Sequence, residues 1–239
     1  MITSSRDRWE SYWRAQPARG QEAVFDSEAR PAVAEHLPLF QHYFDAALPV
    51  VDLACGTGTQ TRYLATLYAR VIGVDFAEAA LELARQLNAA PNVEYRLLDL
   101  RDTDAAEALH GELGDVNAYM RGLFHQMDEV DRVRAVDSVA WLLGAGGHLF
   151  DVELAPEATS IIRELAGRPE GLPPKLAQIF KHGITPASWR DGELEQLLRT
   201  GGLEQLDSGQ VTFHTTEFLE DGVRLELPMI YSVARRIAG

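Results

Sequence analysis

Residues 50–61 read Val-Val-Asp-Leu-Ala-Cys-Gly-Thr-Gly-Thr-Gln-Thr. An apolar run ends in an acid, Asp52. A turn carrying Gly56 and Gly58 follows, and a helical pattern then begins. This is a strand, a tight loop and a helix N-terminus, the geometry that holds nucleotide-like ligands. The glycines let the backbone approach a ligand where a Cβ would collide. Asp52 narrows the choice, because a carboxylate there repels a pyrophosphate but suits an amine or a sulfonium. A dinucleotide fingerprint counted from Gly56 needs a third glycine where Thr61 stands.

Outward from this stretch, strand and helix patterns alternate. Strands are expected at 48–53, 70–74, 93–98, 115–120 and 147–153, and helices at 59–69, 77–88, 103–112 and 129–143. In the last helix Val130, Val133, Val136, Val139 or Ala140, and Leu143 trace one apolar face. Repeated β-α units imply a mostly parallel sheet with right-handed crossovers. Such sheets bind ligands at the carboxyl ends of their strands, where Asp52, Asp75, Asp99 and Arg121 fall. Asp75 is placed to accept two ribose hydroxyls, or to cap the helix that begins at Ala77. Phe76 offers an aromatic face beside it. Beyond 155 the alternation breaks: Pro156, Pro173 and Pro174 punctuate an insertion with a short helix near 176–180. A helix at 191–200, a strand near 203–208 extended by 211–218, and a final strand at 227–235 complete the pattern.

These residues resemble the class I S-adenosylmethionine-dependent methyltransferases. The acid and loop at 52–59 are similar to motif I of that family, an acid followed by Gly-x-Gly-x-Gly, with Ala54 at the first glycine and Thr59 at the third. Arg121-Gly122-Leu123-Phe124-His125 is similar to the fourth-strand segment of its small-molecule members, and Leu142 to Leu149 is similar to the approach to the fifth strand. The resemblance implies an α/β, Rossmann-like, doubly wound sheet of seven strands, mostly parallel, with an antiparallel last strand. It implies S-adenosyl-L-methionine as cofactor, with motif I (Asp52, Ala54, Gly56, Gly58 and Gln60) around it. Asp75 would take the ribose, Phe76 an adenine face and Asp99 the adenine amino group, with Leu100 also at the cofactor. Arg121 and Gly122 would lie beside the methionine part, and His125 near the transferred methyl. His125 is the candidate general base, since a neutral imidazole suits proton removal near pH 7. The plainer reading is a histidine that starts a helix. His182 is the second candidate.

The division expected is one domain, with an N-terminal helical lid at 1–46, a cofactor-binding core at 47–155, a cap insertion at 156–190 and the rest of the sheet at 191–239. Trp9, Tyr12 and Trp13 have helical spacing. Tyr12, Trp13, Phe180 and His182 are the candidates for touching an acceptor. A lid of this kind is expected to be dispensable to the sheet.

Composition bounds the function. The net charge is −14, and lysine occurs only at Lys175 and Lys181. That disfavours nucleic acid as a partner, which wants a basic patch. No apolar run is long enough for a membrane span, and no signal-peptide core opens the chain. The lone Cys55 suits a reducing cytoplasm. His125, Asp128 and Asp131 do not converge around a helix, so no metal is expected. The function expected is methylation of O, N or C on a small-molecule acceptor. The alternative is a protein that binds S-adenosylmethionine without methyl transfer.

Overall fold

The computed structural model describes residues 4–17, 23–187, 189–190 and 192–237. Seven strands form one sheet: β1 Val50–Leu53, β2 Val71–Asp75, β3 Val93–Leu97, β4 Asn117–Arg121, β5 His148–Leu154, β6 Leu203–Phe218 and β7 Arg224–Arg236. Their order is β3-β2-β1-β4-β5-β7-β6. β1 to β5 pair in parallel, and β7 lies antiparallel between β5 and β6. The expected Rossmann-like sheet is therefore present. The strand order reverses between β1 and β4, which opens a crevice at their carboxyl ends.

Among the described residues the helices are α1 Ser5–Arg14, α2 Val33–Phe40, α3 Thr59–Leu64, α4 Glu78–Leu87, α5 Thr103–Leu113, α6 Glu129–Leu143, α7 Pro156–Ala166, α8 Pro174–Lys181 and α9 Glu193–Thr200. α3 is shorter than the periodicity predicts. The Asn92 amide donates to the carbonyl oxygens of Ala65 and Tyr68, so the chain turns after Leu64. The insertion holds α7 as well as the expected α8. Pro156 occupies the first turn of α7, where its missing N–H costs nothing.

The inward face of α6 holds Val136, Val139 and Leu143 as the sequence reading has it, but its first turns differ. Val130 and Val133 are exposed, at 62% and 42%, whereas Arg132 is buried. Arg132 donates to the Phe124 carbonyl, pairs with Glu193 and stacks over Trp189 at 4.0 Å. Those three partners let a guanidinium take the place that the apolar pattern assigned to valine.

The sheet is covered on both faces by separate apolar clusters. The N-terminal helices belong to one of them. Phe40 packs on Phe150 and Tyr119 with ring centroids 4.8 and 5.8 Å apart, and His36 Nδ1 lies 3.0 Å from the Tyr119 hydroxyl. Deleting residues 1–40 would thus remove core side chains as well as a cover, which corrects the expectation that the sheet is indifferent to them. No helix among the described residues is long and apolar enough to cross a membrane.

Candidate active site

The loop after β1 turns through left-handed backbone. Gly56 and Gly58 have φ of 54° and 79°, and Ala54 has φ 56°. An alanine in this region costs about 1–2 kcal/mol, which is why glycine suits the first loop position better. Gly58 does not line the cavity. A Cβ there would run into the Tyr95 ring, so this glycine serves packing behind the loop. Thr59, at the third glycine position, has its own partner: the Thr57 and Thr59 hydroxyls donate to Asp26 at 2.7 and 2.5 Å. Gln60 adds to this, donating to the Ser27 carbonyl and accepting from the Val33 N–H. The motif thereby anchors residues 26–33 across the mouth of the crevice. The sequence reading missed Asp26, and the signal for it is weak, since nothing in its neighbourhood sets it apart.

One cleft enclosing about 1640 Å³, part of it open to solvent, runs along the carboxyl ends of the strands. Asp52, Ala54, Gly56, Gln60, Asp75, Phe76, Asp99, Leu100, Arg121, Gly122 and His125 all line it. Asp52 accepts from the Thr61 hydroxyl, and Asp75 from the backbone N–H groups of Gly56 and Ala77. Asp75 does not cap α4, whose N-cap is Ala77 without a side-chain bond; it holds the turn before the helix, and each carboxylate oxygen keeps a second lone pair for a ligand. Neither acid has an ion-pair partner among the described residues. Burial pushes both carboxyls up, Asp52 to about 7 and Asp75 to about 6, against the hydrogen bonds that hold them down. Two buried acids beside a left-handed loop fit a ligand that brings positive charge and hydroxyl donors. Asp99 differs. Burial would raise its carboxyl, but the Arg101 guanidinium holds it below the usual range through two hydrogen bonds at 2.8 and 2.6 Å.

Beyond β4 the chain makes a 3-10 turn at Phe124–Gln126. Arg121 donates to the Phe25 carbonyl and the Ser27 hydroxyl and lies over the Phe213 ring. His125 is 4% exposed. Its Nδ1 meets Glu153 of β5, and that carboxylate also accepts from the backbone N–H groups of Leu123, Phe124 and His125. Glu153 was not among the residues singled out from the sequence. Its signal was legible, however: Asp151 and Glu153 alternate with Phe150, Val152 and Leu154 in a strand covered on both faces, where a charge must find partners.

The remaining wall is apolar: Leu154, Ile162, Leu176, Ile179, Leu227 and Met229, drawn from β5, α7, α8 and β7, with Phe180, Phe213 and Trp13 beside them. Tyr12 and His182 do not reach the cavity. Tyr12 is buried among Trp9, Trp13 and Phe25, and its ring stands edge-on to His182, whose Nδ1 meets the Ser11 hydroxyl. Both tie α1 to the end of α8.

Comparison with known proteins agrees with this geometry. The family described as "Methyltransferase domain" matches residues 50–147. A ubiquinone biosynthesis O-methyltransferase of Thiobacillus denitrificans is 30% identical over 198 residues, 79% of this chain and 80% of that protein. An N-demethylindolmycin N-methyltransferase of Streptomyces griseus is 40% identical over 75 residues, 31% of this chain and 32% of that protein. The crystal structure of an S-adenosylmethionine-dependent methyltransferase from Anabaena variabilis superposes with a TM-score of 0.92 at 33% identity, covering 98% of this chain and 96% of that one. With motif I, the sheet order and the acid-lined crevice in place, the chain belongs to the class I S-adenosylmethionine-dependent methyltransferases.

Proposed function

We propose that this methyltransferase acts on a hydroxyl group of an apolar small molecule, with His125 as general base. Asp52, Asp75, Phe76 and Asp99, with the loop at 54–56, would hold the cofactor. Arg121 and Gly122 would border its methionine end. When bound, S-adenosylmethionine supplies an already activated methyl group, so no residue need create an electrophile. The protein's part is to place the acceptor oxygen and take its proton.

The observation that carries this reading is the position of His125. It follows β4, and β4 lies in the sheet between β1, whose end is acidic, and β5, whose end opens the apolar wall. A base at that junction stands between a polar cofactor half and an apolar acceptor half. The apolar wall favours an uncharged, ring-bearing or alkyl acceptor. The O-methyltransferase relatives, which match over most of the chain, support oxygen over nitrogen or carbon. The N-methyltransferase relative matches less than a third of it.

The test begins with calorimetric titration of S-adenosylmethionine and S-adenosylhomocysteine. Screening of apolar phenols and alcohols for the mass gain of one methyl follows, with S-adenosylhomocysteine formed in step. His125→Ala should keep cofactor affinity and lose about 100-fold or more in turnover. A near-normal rate would leave His125 a structural residue. Cofactor that binds but stays intact with every acceptor would favour a role without methyl transfer.

A further inference from the structure

We infer that Glu153 is a positioning residue that fixes His125 in the tautomer with its proton on Nδ1, leaving the Nε2 lone pair for the acceptor. The inference rests on the reading of His125 as base. Glu153 is fully buried, yet its two oxygens face only donors. Oε1 accepts from Leu123 N at 2.9 Å and Phe124 N at 2.7 Å, and Oε2 from His125 N at 3.0 Å and His125 Nδ1. Three backbone N–H groups pointed at one carboxylate stabilise its ionised form. An ionised carboxylate has no hydrogen to give, so the hydrogen in the fourth contact must come from Nδ1. Among the described residues Nε2 has no hydrogen-bond partner, and the ring lines the cavity.

The same contacts set the ring's place. The 3-10 turn at Phe124–Gln126 hangs from the Glu153 carboxylate by three successive N–H groups, and the His125 carbonyl accepts from Ala187 N at 2.7 Å. The imidazole thus stands on backbone that is itself held. Other charged groups on this face are accounted for. Arg132 is committed to the Phe124 carbonyl and Glu193, and Arg121 to Phe25 and Ser27. Asp151, two residues before Glu153 on the same strand face, is fully buried, and its burial, with the Glu153 carboxylate beside it, pushes its carboxyl well above the ordinary range. During transfer the acceptor O–H proton passes to Nε2 as the oxygen bonds the methyl carbon and the carbon–sulfur electron pair leaves with sulfur. The resulting imidazolium faces the carboxylate of Glu153, and its proton is later released to solvent.

Glu153→Gln makes the inference testable. The two amides on Oε1 keep the glutamine carbonyl in place, which turns its NH2 toward His125 Nδ1 and forces that nitrogen to accept. The proton then moves to Nε2 and the base is lost, the same logic by which an amide in place of an orienting carboxylate disables a catalytic histidine. Nitrogen-15 NMR of the histidine-labelled, cofactor-free protein reads the tautomer directly. The wild type should show Nδ1–H and unprotonated Nε2, and Glu153→Gln the reverse. Turnover should fall about 100-fold or more in kcat with KM and S-adenosylhomocysteine affinity kept, measured with 4-nitrocatechol or whichever phenol gains the methyl mass. Added to His125→Ala, the substitution should cost no further turnover. An Nε2–H tautomer in the wild type overturns the inference even if Glu153→Gln fails to fold, and leaves His125→Ala to judge the base. A reversed tautomer with unchanged turnover overturns the positioning role and the assignment of His125 as base together.

Discussion

The two halves of the cleft are built differently. The half proposed for the cofactor has acids at the ends of β1, β2 and β3, each within or just after a short strand, beside one loop of seven residues, Ala54 to Gln60. The half proposed for the acceptor takes apolar side chains from β5, α7, α8 and β7, spread between Leu154 and Met229. In the first half polar atoms are fixed at short range: Asp75 by Ala77 two residues on and by Gly56 of the loop beside it, Asp99 by Arg101. In the second, shape is fixed by packing among distant elements. The contrast teaches that the half proposed for the cofactor is laid out largely by a short-range pattern, and the half proposed for the acceptor by a surface that exists only once the fold is complete.

The sharpest way to break this comparison is Asp75→Ala. It should weaken S-adenosylmethionine binding by about 1–3 kcal/mol, the loss of a charged acceptor. It should also lower the melting temperature, since Gly56 N and Ala77 N lose their partner. Unchanged affinity by calorimetry would take Asp75 out of the cofactor half.

Next in size is the anchor across the mouth. Thr59→Gly restores the family's glycine but removes the hydroxyl that meets Asp26. It should cost about 1–2 kcal/mol in stability and raise proteolysis of the segment around Asp26. A variant as stable and as resistant as the wild type would mean that the loop does not hold this segment.

The buried acids give a pH dependence whose sign is fixed. Asp52 and Asp75 titrate at about 7 and about 6 in the folded chain, above the ordinary 3.8. The folded state therefore binds protons more tightly than the unfolded one, and their contribution to stability falls as pH rises from about 4 to about 7. The ligand-free protein should melt at higher temperature near pH 5.5 than the same groups allow near pH 7.5, and Asp52→Asn should shrink the difference. A sulfonium ligand favours the ionised acids, so its affinity should weaken below about pH 6. Calorimetry in two buffers of different ionisation heat would detect the coupled proton release, and its absence would remove these acids from the ligand's surroundings.

The smallest effect belongs to Ala54→Gly. Relief of a left-handed alanine should gain up to about 1 kcal/mol after the added freedom of glycine in the unfolded chain is subtracted. A denaturant melt showing a loss would mean that the Ala54 methyl packs usefully against the cleft.

By itself the sequence determined the parallel β-α alternation, the carboxyl-end acids and the Arg121-to-His125 loop, because hydrophobic period and short-range turn chemistry are local properties. It also placed α6 and the later part of its inward face, Val136, Val139 and Leu143, but not the first turns. Val130 and Val133 have the apolar period and still face solvent, since Arg132 finds Phe124, Glu193 and Trp189 only after β4, α6 and α9 have docked. Tertiary structure alone decided that Tyr12 and His182 pack against each other instead of entering the cleft, that Asp26 closes on Thr57 and Thr59, and that Glu153 meets His125. Each joins residues at least 28 positions apart. A contact of that separation is set by which strands neighbour one another and which way their side chains point, and no window of sequence carries either.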